Sequence, residues 1–453
     1  MIAASRPIQR PPDAKLLVVR ANAAISHRPR DRWPELLERG DLIVANDAAT
    51  LPASLAGVHV PSGAPIEVRL AQRGSLDPRD VRDWVAVVLG EGDRRMRTED
   101  RRAPPRLRRG ERLQLGPLAA RVRGLAGHPR LVALRFEGAI DEIWAGLAVH
   151  GRPIQYAYVE PELSLWDVWT PIAAAPAALE PPSAGFALDW QALSRLRERG
   201  AAFATITHAA GISSTGDAAL DRRLPLDEAY RIPLTTARAI AGTRTRGGRV
   251  IAIGTTVVRA LESAAAEDGI VRAGEGVATL TLGPRTVLRA VDAILSGTHE
   301  PGTSHYELLR AFAGEEALRS ADAELQEGGY RTHEFGDSVF VERAYRAAAD
   351  PLPGPLPMER EHFTPGPLPT QREHLGRHAA CDGLARNSAA TIIPTPTASA
   401  ARLRNPPMKG RRTRSAKASI ASTAAPTREA VRAAASGLTR SSSIAPTTTA
   451  SQT

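Results

Sequence analysis

Between about Gly57 and His150 the chain drops its α/β rhythm for a purely β one, and this interruption constrains the fold more than any other feature. Five short apolar runs fall there, at residues 66–70, 84–89, 112–115, 119–125 and 131–137, separated by Gly, Pro, Asp or Arg turns. Almost no helical periodicity accompanies them, so they predict a small antiparallel β-barrel or sandwich. On the N-terminal side, residues 15–20 and 41–45 are long enough for buried strands, and residues 28–39 set Trp33, Leu36 and Leu37 at helical spacing. That order reads as a βαβ unit. After Pro153 the same rhythm returns. Residues 189–200 predict a helix with Trp190, Leu193, Leu196 and Arg197 on one stripe and Gly200 as its C-cap. Residues 201–208 and 249–253 predict strands, and residues 257–266, 286–295 and 306–312 predict helices. The expected fold is a split α/β domain, residues 1–57 plus 151–343, with an inserted small antiparallel β-barrel at 58–150.

Charge locates a third region. The net charge of +10 suggests a nucleic-acid partner, but 15 of the 59 basic and 6 of the 49 acidic residues lie from Arg346 onward. The first 345 residues are therefore close to neutral. Residues 344–453 predict a disordered basic tail rich in Pro, Ala, Ser and Thr, too polar to offset its backbone entropy. It holds a Pro-Gly-Pro-Leu-Pro near-repeat of period 12 at 353–362 and 365–374, a short candidate helix at 429–435, and a basic run with Arg411, Arg412, Arg414 and Lys417. Within the near-neutral part, residues 94–109 form either a basic patch or a solvated loop. The only cysteine, Cys381, also lies in the tail, which removes disulfides, thiolate nucleophiles and Cys-based metal sites from the expected folded part. Residues 1–10 lack an apolar signal core, and no 18-residue apolar run occurs, so a cytoplasmic protein without membrane contact is expected.

The clearest local geometry runs from Gly247 through Arg249, Ile253, Gly254, Thr255 and Thr256 to Glu262. A buried strand feeds a Gly-Thr-Thr turn that opens a helix, where free N–H groups and a hydroxyl N-cap favour an anion. The same residues also describe an ordinary capped turn. No GxGxxG, Walker, HExxH or GxSxG pattern is present. His208, His299 and His305 are scattered without metal-ligand spacing, and each taken alone fits a structural or surface role.

Five segments, taken in order, resemble one family. Residues 41–47 (DLIVAND) followed by 51–55 (LPASL) are similar to its strand and NDTxVIPARL signature. Residues 249–262 are similar to RVIAVGTTxxRxLE, and Glu228-Ala229-Tyr230 to its ExY. His299, Pro301, Ser304 and residues 308–314 are similar to NFHLPxSxL…AFxG, and Tyr330 with Gly336-Asp337 to its closing Y…YGDA. The family is the S-adenosylmethionine:tRNA ribosyltransferase-isomerases, and the resemblance spans residues 16–342. It implies an α/β domain with an inserted β-barrel, S-adenosylmethionine as ribosyl donor and co-substrate, and no metal. The implied acceptor is the aminomethyl-deazaguanine at the wobble position of a tRNA anticodon stem-loop. The implied products are epoxyqueuosine-tRNA, adenine and methionine. The sulfonium acidifies the adjacent C5′ protons, so a modest base forms an ylide and adenine departs; the cofactor carries the hard chemistry.

The resemblance also implies roles. Glu228, His299 and His208 are candidates for proton transfer. Thr255 and Thr256 with Gly254 would hold the methionine carboxylate, Arg259 a carboxylate or phosphate, and Asn46 and Asp47 the adenine or ribose. Ser183 and Gly185 belong to the segment matching APTAGLHFT and complete the donor pocket. The chain departs from the pattern at Ala48-Ala49 for Thr-Arg, Ala187 for the histidine of APTAGLHFT, and Thr298 and Glu300 in NFHLP. His208 stands one residue from the histidine of HVGxGTF. Three readings remain open: the transferase itself, acting as a monomer; a paralogue using S-adenosylmethionine on another acceptor; and a non-catalytic RNA-binding protein. The two enzymes require a concave site where Asn46, Ser183, Thr255 and His299 converge.

Overall fold

The structure, a computed structural model, describes residues 1–265 and 267–344. The proline near-repeat, the candidate helix at 429–435, the basic run at 411–417 and Cys381 lie outside the described residues.

Strands β1 (Lys15–Val19) and β2 (Ile25–Pro29) form an antiparallel hairpin. A 3-10 helix, Arg30–Leu36, leads to β3 (Leu42–Asn46), buried along its length. The helix predicted for 28–39 is thus a seven-residue 3-10 helix that follows directly on the last two residues of β2. Pro34 is the reason, since it supplies no N–H and crowds the preceding turn. The buried Arg30 guanidinium anchors that turn, donating to Gln9 O at 2.6 Å and Gly336 O at 3.0 Å.

Six strands follow, not five: β4 (Ser54–His59), β5 (Ala64–Gln72), β6 (Asp83–Leu89), β7 (Arg112–Leu115), β8 (Leu118–His128) and β9 (Leu131–Phe136). They close into a barrel in the order β8-β9-β6-β5-β4-β7, every pairing antiparallel. The unexpected strand, β4, contains Gly57, where a Cβ would meet Gln114 O at 2.1 Å. Only a glycine admits that approach, and it blurs the alternation that would have revealed the strand. Leu55, Val68, Trp84, Leu113 and Leu134 fill the barrel. Helix α1 (Ile140–His150) adds Ile143 and Leu147 to the same core. Ser54 and Arg152 exchange two backbone hydrogen bonds of 2.9 Å, so the chain enters and leaves the barrel side by side. The basic stretch at 94–109 is neither a uniform patch nor a plain loop. Arg101 is buried against Glu67 and donates to Asp93 O at 2.5 Å, while Arg97 and Arg102 pair with acids at the surface.

The α/β pattern then resumes. Helix α2 (Trp190–Glu198) is capped by Asp189, which accepts from Ala192 N at 2.6 Å, and Gly200 follows it at φ +73°. Trp190 is 86% exposed, so the buried stripe rests on Ala192 and Leu196 instead. Next come β10 (Ala202–His208), β11 (Glu228–Ile232), α3 (Leu234–Thr245), β12 (Val250–Ile253), α4 (Thr255–Ala264) and β13 (Gly274–Ala278). Then follow β14 (Ala293–Gly297), α5 (Ser304–Leu309), α6 (Glu315–Glu327) and β15 (Ser338–Glu342). The helix predicted over 286–295 is an irregular segment running into β14. Its N–H groups are satisfied from outside, because the Glu262 carboxylate accepts from Arg289 N, Ala290 N and Val291 N at 2.8–3.1 Å. A wholly buried strand shows no alternation, so sequence period could not separate it from a helix.

These strands form a sheet in the order β13-β11-β10-β3-β12-β14-β15-β1-β2. Its centre, β10-β3-β12-β14, is parallel. Strands β1 and β3 are not βαβ neighbours, since β15, β14 and β12 lie between them. One face packs Ile240 of α3, Leu261 of α4 and Leu325 of α6; the other packs Trp33, Leu36 and Leu196. Helical elements on both faces of a parallel core place the carboxyl ends of β3, β10, β12 and β14 along one edge, where open α/β sheets bind ligands.

Candidate active site

A cleft continuous with solvent lies at that edge. Stretches within residues 180–184, 210–213, 254–259 and 296–308, together with Glu228, line it. Sequence segments more than a hundred residues apart therefore meet because the parallel strands end together.

Helix α4 starts in the cleft. Its N-cap is Gly254, at φ +92°, and no side chain caps it. The hydroxyl cap expected from Thr255 and Thr256 is therefore absent; those threonines occupy the first two helical positions. The first N–H groups of a helix have no intrahelical acceptor. Left uncapped beside the dipole, they suit an anion.

One turn on, the guanidinium of Arg259 pairs with the Glu228 carboxylate, both side chains being buried. Arg259 also donates to Ala278 O at 2.9 Å and Leu226 O at 3.2 Å, and burial lowers its pKa to about 10. The other Glu228 oxygen accepts from Gly211 N at 2.5 Å. A Cβ at Gly211 would sit 3.0 Å from Glu228 Oε1, so the glycine keeps the carboxylate in place. Arg259, anticipated as an anion ligand, is thus committed to an internal partner.

His208 is fully buried and does not line the cleft. Its Nε2 stands 3.4 Å from Glu228 Oε2, and burial followed by the Arg259 charge lowers its pKa to about 3, so its imidazole is neutral at pH 7. His299 does line the cleft. Its Nε2 is 2.9 Å from Ser296 Oγ, and its ring stacks on His305 with centroids 4.8 Å apart. Burial and the neighbouring His305 hold its pKa well below 6.5, which keeps this ring neutral too.

The remaining expected residues stand behind the wall. The Asn46 side chain is 2% exposed; its amide donates to His208 O at 3.0 Å, and its oxygen accepts from His208 N at 2.9 Å and Ala48 N at 3.1 Å. It braces the ends of β3 and β10 and reaches Thr256 Oγ1 at 3.5 Å. Asp47 accepts from Thr207 Oγ1 at 2.6 Å and Thr205 Oγ1 at 3.0 Å, outside the cleft lining. Gly185 lies in a 3-10 helix against Thr170, where a Cβ would meet Cγ2 at 2.9 Å. Of the four residues expected to converge, Ser183, Thr255 and His299 line the cleft and Asn46 supports it.

Sequence reasoning overlooked Glu180. It is 7% exposed, lines the cleft, and accepts from Tyr156 Oη and from Ser213 N at 3.1 Å. No cation pairs with it among the described residues. Burial, followed by the charge of Glu334, raises its pKa to about 7. A signal existed: Glu180 is the one charged residue closing an otherwise apolar, alanine-rich run from Ala173 to Leu179. A buried carboxylate there demands a reason.

A family profile described as "Queuosine biosynthesis protein" matches residues 1–341. The chain belongs to that family. Among curated relatives, the S-adenosylmethionine:tRNA ribosyltransferase-isomerase of Gloeobacter violaceus is 34% identical over 349 residues, covering 75% of this chain and 92% of that one. The protein of the same name from Sorangium cellulosum is 34% identical over 368 residues, covering 75% and 94%. A crystal structure of S-adenosylmethionine tRNA ribosyltransferase from Thermotoga maritima aligns at 25% identity and a TM-score of 0.40, covering 75% of this chain and 96% of that one; the assignment rests on the sequence matches. Among the described residues no helix is long and apolar enough to cross a membrane, and no group of three His, Cys, Asp or Glu side chains is placed to hold a metal.

Proposed function

We propose that this chain transfers and isomerises the ribosyl moiety of S-adenosylmethionine onto the aminomethyl-deazaguanine at the tRNA wobble position, yielding epoxyqueuosine-tRNA, adenine and methionine. The observation that carries this reading is convergence: Ser183, Glu228, Gly254, Thr255, Thr256, Arg259, His299 and Ser304, drawn from four separate segments that resemble the family, line one cleft at the carboxyl ends of the parallel strands. The residues present fit the donor. The uncapped start of α4 suits its methionine carboxylate, and the neutral His299 with Ser296 suits an uncharged polar group such as adenine or ribose hydroxyls. When bound, S-adenosylmethionine supplies the ribosyl fragment and a sulfonium that makes methionine a good leaving group.

The chain's own residues then divide into two kinds. Gly254, Thr255, Thr256, Ser183 and His299 face the ligand. Arg259, Glu228, His208 and Asn46 form a buried network that fixes the cleft floor, with Arg259 neutralising Glu228 rather than gripping substrate. The partner is a tRNA anticodon stem-loop, and the setting is the cytoplasm where tRNA is modified. Incubation with S-adenosylmethionine and tRNA bearing the aminomethyl-deazaguanine tests the reading. Adenine and methionine are expected in equal amounts, and only with the modified tRNA; release that ignores the tRNA base, or none at all, would overturn it.

A further inference from the structure

Glu180 is the one buried acid on the cleft wall that the network just described does not use. Its surroundings come from every element packed against it. Tyr156 donates its hydroxyl to one carboxylate oxygen, and Ser213 N donates to the other. Arg69 lies over the far face of the Tyr156 ring, 5.5 Å from its centroid, and is itself committed to Glu67 and Gln155 O. Glu334, held by Tyr158 Oη at 2.6 Å, contributes a like charge, and His333 stacks on Tyr158 at 4.2 Å. Elsewhere on the cleft wall the acid Glu228 is neutralised by Arg259. Glu180 has two hydrogen-bond donors and no counter-ion, while lining both the cleft and a small inner cavity behind it.

A carboxylate kept like this is stabilised enough to ionise near neutrality, yet remains far more basic than an ion-paired one. Other groups in the site cannot match it. His208 is sealed off, His299 is engaged by Ser296 and held neutral against protonation, and Glu228 is tied to a cation. A positively charged ligand is also what such a site lacks, and the sulfonium of the proposed donor provides one.

We propose that Glu180 is the general base of the reaction, taking the proton from the carbon bonded to the sulfonium sulfur of S-adenosylmethionine. The C–H bond breaks, an O–H bond forms on the carboxylate, and the electron pair stays on the substrate carbon beside the positive sulfur. Adenine later departs with the electron pair of its glycosidic bond, and the Glu180 carboxyl returns the proton to it, restoring the starting state. Tyr156 is a positioning residue, acting through its hydrogen bond to Glu180. The assignment rests on the ribosyl-transfer reading above.

The test uses the full chain with modified tRNA, following adenine release and the washout of deuterium from 5′-dideuterated S-adenosylmethionine. Wild-type kcat should rise with pH through about 7, tracking the ionisation of Glu180. Glu180→Gln should lower kcat and the rate of washout together, roughly 10²- to 10³-fold, with KM for S-adenosylmethionine within about threefold. Glu180→Asp should restore part of the rate. Tyr156→Phe, which removes a bond favouring the ionised form, should move the pH limb upward. That shift is readable even if Glu180→Gln folds poorly, and a merely structural Tyr156 would not produce it. Washout and near-normal kcat in Glu180→Gln, or a pH limb unmoved by Tyr156→Phe, would overturn the base assignment while leaving the transferase reading intact. Absence of turnover by the wild type would overturn both.

Discussion

Glu180→Gln, which keeps the side-chain volume and removes the charge, should stabilise the fold at alkaline pH. The magnitude follows from the burial of this carboxyl. Its pKa is raised from 4.5 to about 7 in the folded chain. Each unit of difference corresponds to about 1.36 kcal/mol, so ionising Glu180 inside the fold costs about 3 kcal/mol relative to ionising it in the unfolded chain. The sign is set by proton uptake. Between pH 4.5 and 7 the folded state holds the proton more tightly, so stability is greatest below 4.5 and declines as pH rises through the folded pKa. Glutamine cannot ionise and escapes the decline. Urea denaturation of wild type and Glu180→Gln at several pH values reads the difference directly. Loss of the Ser213 and Tyr156 geometry costs the variant about 1 kcal/mol at all pH values. The stability difference should therefore swing in favour of glutamine by about 3 kcal/mol between pH 4.5 and pH 8. A difference that does not change with pH, or that swings toward the wild type, would show that the carboxylate is solvated or paired and would remove the electrostatic basis for its proposed role.

Three further perturbations probe the cleft. Arg259→Met strands the buried Glu228 carboxylate, so denaturation should show a loss of about 3–5 kcal/mol, largely recovered in the double variant with Glu228→Gln; if Arg259 instead grips substrate, stability would barely change while KM for S-adenosylmethionine rose. Gly254→Ala forces a side chain to φ +92° with Ala184 Cβ 3.3 Å away. It should cost roughly 1–3 kcal/mol and, by calorimetry, weaken S-adenosylmethionine binding. Asn46→Leu removes both bonds to the His208 backbone; about 2–4 kcal/mol of stability should be lost, taking roughly 1–2 per stranded buried group, together with activity.

Much of this architecture was legible because burial leaves period and punctuation in a sequence. The barrel declared itself through alternating runs, and the strand–Gly-Thr-Thr–helix of β12 and α4 through an apolar run ended by a turn. What could not be read was tertiary compensation. The segment before β14 looked helical because nothing local shows that Glu262, 27 residues earlier, satisfies its N–H groups. Arg259 of α4 looked free because its partner Glu228 lies 31 residues away on strand β11. Asn46 and Asp47 were correctly placed at a strand end, but direction decides role: one turns into the β3–β10 joint and the other onto Thr205 and Thr207. Glu180 escaped because its significance lies in the counter-ion it lacks, and only packed coordinates reveal that.

The central claim is ribosyl transfer to a tRNA base, and the fate of the ribose carbons tests it most directly. The full chain is incubated with S-adenosylmethionine carrying ¹³C in its ribose and with tRNA bearing the aminomethyl-deazaguanine, and the tRNA is digested and its nucleosides weighed. All five labelled carbons are expected in the wobble nucleoside, with unlabelled adenine and methionine released. Label that stays with the adenosine, or a tRNA that gains only a methyl group, would contradict the account.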